Sequence, residues 1–335
     1  MNTRNKNLHE AKKNKNDEFY TRYEDIEAEL KFYNLRDKIV YCPCDDWRWS
    51  NFVKYFKENF HALGLKKLYA SNYDIGEGAY DYSYNGIVET SIRRGGSGGY
   101  REHEDMIRAA DIVITNPPFS LFSDFVNWIT EHGKDFLIIG PLTALQYTNV
   151  FKLIKEEKCF TGVTSPKKFL QKSEEKDMHT IVWIESSDMG GCTIQWYNSM
   201  ERKKYATLTL TKTYKGHEEE YPKYDNFEAI NVDRVKDIPY DYEGVMGVPV
   251  TFLKGYYPEY EIMDLHRDTA IIGGGGTQVQ ESCGKKKTEL IGILNGTKYD
   301  NAETGVIGGG VPVLKGRKKF TRVLIRLLDI KDSMN

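Results

Sequence analysis

An α/β architecture follows from the way short apolar strands alternate with amphipathic helices over the first two thirds of the chain. Ile39-Val40-Tyr41, Ile112-Val113-Ile114 and residues 135–140 are apolar runs of strand length without polar alternation, the pattern of strands buried on both faces of a parallel sheet. Between them, Phe52, Phe56, Phe60 and Leu63 recur at helical spacing, and so do Leu121, Phe122, Phe125 and Ile129. The third feature is Asn116-Pro117-Pro118-Phe119, directly after the central run. Two prolines cannot continue a central strand, so the strand ends there and delivers the tetrapeptide to the carboxyl edge of the sheet, where open α/β sheets bind ligands.

Composition sets wide bounds. The 335 residues accommodate one large α/β domain with an appendage, or two domains. A hydrophobic content of 40% is globular, and the 23 tyrosines suit a polar binding surface as well as a core. A formal net charge of −2 gives no global attraction for nucleic acid, so such a surface must come from local segregation of the 47 basic residues. Five cysteines at irregular spacing point to reduced thiols in a cytosolic protein, and Cys42 and Cys44 lack the second pair that a zinc site needs, so no metal is expected. Residues 1–16 are polar, with no signal region, and no run approaches the ~18 apolar residues of a membrane span. A cytoplasmic location with no membrane contact is the expectation, and no obligatory protein partner is evident.

Residues 1–15 carry Arg4, Lys6, Lys12, Lys13 and Lys15 against Glu10 alone, a solvated end or, in an enzyme of DNA, a phosphate clamp. Phe19-Tyr20-Thr21 then precedes an amphipathic helix over residues 24–33 with Ile26, Leu30 and Tyr33 on one face. The loop after the first strand, Cys42-Pro43-Cys44-Asp45-Asp46, lies where a Rossmann-like sheet binds its nucleotide, yet it has no glycine, so backbone cradling of a phosphate is not expected. Asp45 or Asp46 is also a natural cap for the helix that follows. Leu68-Tyr69-Ala70-Ser71 is a second strand, and Asp74 falls where nucleotide-binding folds place an acid for ribose hydroxyls. Residues 76–100, rich in Gly, Tyr and Ser, read as an irregular excursion with a short hairpin around Tyr84-Asn85-Gly86, and residues 102–110 return as a helix.

After the tetrapeptide, residues 150–155 belong to a helix, while 179–185 and 192–197 read as two strands joined by Gly190-Gly191 into an antiparallel hairpin. Past Lys212 the texture changes to Tyr, Pro and Gly with short apolar patches, without repeats. Lys285-Lys286-Lys287 and Lys315-Gly316-Arg317-Lys318-Lys319 suit a DNA backbone, and residues 322–328 form a terminal strand. The change in texture past Lys212 sets the expected domain boundary, 1–212 and 213–335.

The tetrapeptide carries chemistry. Its prolines remove two amide donors and leave a carbonyl beside the Asn116 side-chain oxygen, and two acceptors converging on one point suit an amine. Phe119 adds an aromatic face for a flat heterocycle, so an exocyclic base amine satisfies all three.

This loop resembles the Asn-Pro-Pro-aromatic motif of S-adenosylmethionine-dependent amino-methyltransferases. Asn16-Asp17-Glu18-Phe19-Tyr20-Thr21, Cys42-Pro43-Cys44-Asp45-Asp46, residues 115–122, Glu220-Tyr221-Pro222-Lys223-Tyr224-Asp225, Ile238-Pro239-Tyr240-Asp241-Tyr242 and Val245-Met246-Gly247-Val248-Pro249 are similar to the EcoRI-type adenine-specific DNA methyltransferase family. The resemblance runs from about residue 5 to at least 254. It implies a Rossmann-like methyltransferase sheet with a carboxyl-terminal target-recognition region, double-stranded DNA as partner and S-adenosylmethionine as cofactor. That cofactor carries no phosphate, and its cationic sulfonium and ammonium suit Asp45 or Asp46.

By the same resemblance, Asn116, Pro117, Pro118 and Phe119 are catalytic and Phe19, Tyr20 and Thr21 enclose the cofactor's methionine end; Pro43, Asp45, Asp46, Asp74 and Asn116 are the further cofactor candidates. Trp196 and Tyr197 match the segment that supplies a second aromatic near the base, unless they simply alternate in a sheet. Lys318 and Lys319 are the expected DNA contacts. The family tends to read Gly-Asp-Gly-Asp-Phe where this chain has Gly95-Gly96-Ser97-Gly98-Gly99-Tyr100, without either acid. Two other readings stay open: methylation of protein glutamine or RNA adenine, and a catalytically silent DNA-binding protein that keeps the fold.

Overall fold

The computed structural model describes residues 20–72, 78–95, 99–166, 168–172, 181–185, 194–200, 208–255, 259–272, 276–294 and 311–329. The basic run at 1–15, Phe19, Asp74, Ser97 and the Gly190-Gly191 turn lie outside the described residues. The chain divides into two compact units, Met1–Glu201 and Arg202–Asn335. Lys212 falls inside the second unit, where its carbonyl accepts the Tyr240 amide at 3.0 Å.

The strands of the first unit are β1 (Tyr20–Thr21), β2 (Ile39–Cys42), β3 (Lys67–Ser71), β4 (Ala79–Tyr84), β5 (Glu89–Arg94), β6 (Ile112–Thr115), β7 (Asp135–Pro141), β8 (Phe160–Thr161), β9 (Lys168–Lys172), β10 (Ile181–Glu185) and β11 (Ile194–Asn198). Eight of them form a mixed sheet in the order β5-β4-β3-β2-β6-β7-β11-β8. Its centre is parallel: Tyr41 of β2 lies opposite Tyr69 of β3 on one side and Val113 of β6 on the other, and Val113 opposite Phe136 of β7. β2 therefore has the next strand in sequence on one flank and a much later one on the other. At such a reversal the loops leaving the two strands part and open a crevice.

Alternation assigns the two faces. Val40, Cys42, Leu68, Ala70, Ile112, Ile114 and Trp196 pack with Phe52, Val53 and Phe56 of the helix Asn51–Glu58 and with Ile26 and Leu30 of the helix Tyr23–Leu30. Tyr41, Val113, Phe136, Ile138 and Tyr197, also buried, point the other way, where Phe122 of the helix Phe122–Glu131 meets the Tyr197 ring at 5.1 Å. A Cβ on Gly140 would stand 2.2 Å from the Phe122 ring, so only glycine lets this helix lie so close on β7. The apolar runs of the sequence are thus strands covered on both sides.

Three expectations change. The excursion after β3 is more regular than its composition suggested: β4 and β5 pair over six residues each and extend the main sheet. Their turn is held by the Asn85 side chain, which accepts Ile87 and Val88 amides at 3.1 and 2.8 Å, with Gly86 at φ 91°. The two strands expected to pair as one hairpin go to different sheets, because β11 joins β7 antiparallel whereas β10 pairs with β9 and β9 with β1. The strand missed, Lys168–Lys172, has lysine at two of its five positions and no polar-apolar alternation to mark it.

The second unit contains β12 (Ile230–Asn231), β13 (Met246–Pro249), β14 (Glu259–Ile272), β15 (Gly276–Leu294), β16 (Val313–Leu314), β17 (Arg317–Lys318) and β18 (Arg322–Asp329). Five form a sheet in the order β12-β13-β18-β15-β14, so the terminal strand read from the sequence is its centre. Tyr224 lies across Gly247, where a Cβ would come within 2.4 Å of its hydroxyl, and it donates to Asn231 Oδ1 at 2.8 Å. Among the described residues no helix is long and apolar enough to cross a membrane.

Candidate active site

The loop leaving β2 and the loop leaving β6 are locked together by one buried carboxylate. Asp45 accepts the Ser50 hydroxyl on Oδ1 and the Thr115 hydroxyl on Oδ2, both at 2.6 Å, and its amide donates to the Ser71 carbonyl at 3.0 Å. Ser71 in turn bonds the Tyr41 hydroxyl at 2.8 Å and donates to the Pro43 carbonyl at 3.2 Å. The ends of β2, β3 and β6 are so tied at the sheet reversal, and Thr115 is the residue before Asn116.

Neither Asp45 nor Asp46 caps the following helix. Ser50 is the cap, accepting Phe52 and Val53 amides at 3.1 and 3.4 Å, and it can do so because its hydroxyl proton goes to Asp45. Asp46 is instead engaged by the Arg48 guanidinium, with Nε at 2.9 Å and Nη2 at 2.5 Å on its two oxygens. A buried carboxylate linking a cap to a residue 70 positions later has no local sequence signature, so the roles of Ser50 and Thr115 were not read from the sequence.

The tetrapeptide keeps the geometry that its prolines dictate. Pro117 is buried and Asn116, Pro118 and Phe119 half-buried, with Pro118 at φ −56°, ψ 125° leading into a short turn Phe119–Leu121. The Leu121 amide closes that turn on the Pro118 carbonyl at 3.0 Å, whereas among the described residues the Pro117 carbonyl accepts no hydrogen bond. Asn116 thus adjoins a backbone acceptor that the turn does not consume. Phe119 packs one side against the hydrophobic core, so it supports the fold as well as facing outward.

Thr21 is brought to the same loop, because its carbonyl accepts the Asn51 side-chain amide at 2.8 Å beside the Ser50 cap. Its hydroxyl is buried without a hydrogen-bond partner among the described residues. Tyr20 takes part through the backbone pairing of β1 with β9. The Gly-rich loop before β6 is tied at both ends to β4: fully buried His103 sets Nδ1 2.7 Å from Asp81, whose other oxygen takes Arg94 Nε. Arg94 also donates to the Glu102 carbonyl at 3.1 Å. A lone histidine after a glycine run gave no hint of this clamp.

Trp196 and Tyr197 require correction. Both are completely buried, Trp196 against Phe52 at 6.0 Å and Tyr197 with its hydroxyl on the Pro141 carbonyl at 2.8 Å, so they are core residues on opposite faces of β11 and neither ring is available to a base. Trp196→Ala is expected to destabilise the protein by about 3–5 kcal/mol and Tyr197→Phe by about 1 kcal/mol in denaturant unfolding. Lys318 is exposed on β17, whereas Lys319 is half-buried with its ammonium 3.6 Å from Asp233.

Burial pushes the Cys42 thiol well up, with the Asp45 charge adding to the effect, and burial alone raises Cys159 to about 12. Both stay protonated near neutrality and make poor nucleophiles. The Asn-Pro-Pro-Phe loop and the acidic loop meet at the reversal of a mixed α/β sheet, an arrangement consistent with a methyltransferase fold.

Comparison with known proteins narrows this class. The family model for adenine-specific methyltransferase EcoRI matches residues 7–91 and 77–327. The chain is 42% identical over 287 residues to type II methyltransferase M.EcoRI of Escherichia coli, covering 77% of this chain and 88% of that one. It is 39% identical over 331 residues to type II methyltransferase M.MpnI of Mycoplasma pneumoniae, covering 94% and 96%, and 34% identical to M.MgeORF184P of Mycoplasma genitalium over 76% and 84%. The chain belongs to the EcoRI family of adenine-specific methyltransferases. No solved structure gives a significant match.

Proposed function

We propose that this protein is a site-specific DNA methyltransferase that transfers a methyl group from S-adenosylmethionine to the exocyclic amine of an adenine flipped out of double-stranded DNA. The observation that carries the reading is the Asp45–Thr115 lock, which fixes Asn116-Pro117-Pro118-Phe119 at the sheet reversal. In this reading the first unit is a Rossmann-like cofactor and catalytic domain and the second a target-recognition region, and a double-stranded DNA substrate suits the cytoplasmic location expected from the sequence.

The residues present fit the cofactor by their chemistry: a glycine-free loop whose Asp45 carboxylate is hydrogen-bonded to hydroxyls, Asp46 being paired with Arg48, and a buried Thr21 hydroxyl with hydrogen-bonding capacity in reserve. When bound, S-adenosylmethionine supplies an electrophilic methyl group on sulfur. Asn116 Oδ1 and the Pro117 carbonyl accept from the adenine amine and orient its lone pair, and Phe119 stacks on the ring. The remainder is proximity in a direct displacement, with no cysteine nucleophile. Flipping costs a few kcal/mol of unstacking, offset by these contacts.

Filter binding of labelled methyl groups on DNA, RNA and protein tests the reading: incorporation into duplex DNA is expected, and label only on RNA or protein would overturn it. The Gly95–Tyr100 stretch motivates one further measurement. Gly99, at φ −59°, ψ 144°, has a backbone conformation open to any residue, and by the family resemblance a carboxylate there would receive the exocyclic amine of the cofactor's adenine. Its lack corresponds to about 1–3 kcal/mol, or roughly ten- to a hundredfold in affinity. Gly99→Asp is therefore expected to tighten S-adenosylhomocysteine binding in calorimetry by about that factor. Equal affinities would show the position irrelevant, and no binding to either protein would favour a silent DNA-binding protein.

A further inference from the structure

The most exposed aromatic ring among the described residues is Phe320, 88% accessible, immediately after the hairpin β16–β17. We propose that this segment lies along duplex DNA, with Phe320 as an apolar wedge in the base stack and Arg317 and Lys318 of the adjoining strand on the flanking phosphates; the inference rests on the DNA-methyltransferase reading above. Charge favours this partner. Lys315, Arg317 and Lys318 are all exposed, while Asp225 and Asp233, which contact this segment, are already engaged. Asp225 accepts the Lys315 and Gly316 amides at 3.2 and 2.7 Å, and Asp233 faces Arg322 at 3.3 Å and Lys319 at 3.6 Å. The turn presents cations, and the ring stands beyond the other end of β17, two residues past Lys318, so one short segment offers both the charges that hold phosphates and the apolar group that parts base steps.

The hairpin is also built to keep its shape. Lys315 at φ 51° and Gly316 at φ 70° make a two-residue turn that matches the strand twist, and the Asp225 carboxylate stabilises the unusual Lys315 backbone. Asn226 holds the incoming strand at both ends, donating to the Val311 carbonyl and accepting the Val313 amide, each at 2.9 Å. The Lys319 amide returns to the Pro312 carbonyl at 2.7 Å. Such a tip loses little conformational freedom when it binds.

The test uses the full-length enzyme and duplex oligonucleotides carrying its methylation site, read from the DNA of an expressing host. Wild-type binding and methylation of that duplex establish the underlying reading. Phe320→Ala is expected to unfold at the wild-type temperature but bind about ten- to a hundredfold more weakly at every salt concentration, with an unchanged salt slope. It should also unwind plasmid DNA less in a topoisomerase relaxation assay at matched occupancy, and Phe320→Trp should restore both. Arg317→Ala with Lys318→Ala should instead flatten the slope by about two. Unchanged affinity and unwinding in Phe320→Ala, with the wild type methylating DNA normally, would overturn the wedge alone. A dimer abolished by Phe320→Ala without change in DNA affinity would assign the ring to a second copy of the chain. Absence of any DNA binding by the wild type would remove both readings.

Discussion

Asn116→Ala is expected to slow methyl transfer to DNA by about a hundred- to a thousandfold, the usual loss when a preorganised hydrogen-bonding group is removed from a reacting centre. Asn116 is half-buried in a loop braced by two prolines and by the Thr115–Asp45 bond, none of which needs its side chain. Thermal unfolding should therefore stay near wild type, and the loss should appear in kcat more than in KM for DNA. Near-normal turnover would dismiss the amine-orienting role. Phe119→Ala should also reduce activity strongly, but it will lower stability too, since one side of that ring rests on the core.

Asp45→Ala should have the largest combined effect. It leaves the buried Ser50 and Thr115 hydroxyls without their acceptor, at about 1–3 kcal/mol each, so a stability loss of roughly 2–5 kcal/mol is expected, with activity reduced beyond the folded fraction because Thr115 no longer anchors the tetrapeptide. Asp45→Asn separates positioning from direct attraction of the cofactor. An amide keeps one acceptor and either hydroxyl can reverse its bond, so a purely positioning role is largely rescued. If Asp45 instead holds the sulfonium by charge, Asp45→Asn will weaken S-adenosylmethionine far more than the neutral-sulfur product, by calorimetry on each.

The parallel strands were legible because burial on both faces leaves an unbroken apolar run, as in Ile112-Val113-Ile114, and the tetrapeptide because proline acts locally on the backbone. What escaped was pairing at a distance. Lys168–Lys172 is a strand only because β1 and β10 flank it, and Asp45 became a lock only because β6 arrives beside β2. Trp196 and Tyr197 show the converse: aromatic residues in a strand satisfy a core and a binding face equally well in sequence, and only their burial decides. The β16–β17 tip was visible as a basic run, but the Asp225 brace that shapes it lies 90 residues earlier in the chain.

The order β3-β2-β6 also has a consequence during synthesis. A nascent chain that has emerged through β5 can pair β2 with β3 and cover one face with the helix Asn51–Glu58, yet the other edge of β2 stays bare until β6 leaves the ribosome. For that interval an apolar strand offers unpaired amides and carbonyls to any neighbouring chain. Loop closure over some 70 residues must then precede the Asp45–Thr115 bond, so the acidic loop and the tetrapeptide take their final form together and late. Slowing the emergence of the residues between β3 and β6 should lengthen the interval in which a chaperone is needed, and slowing it once β6 and β7 have left the ribosome should not.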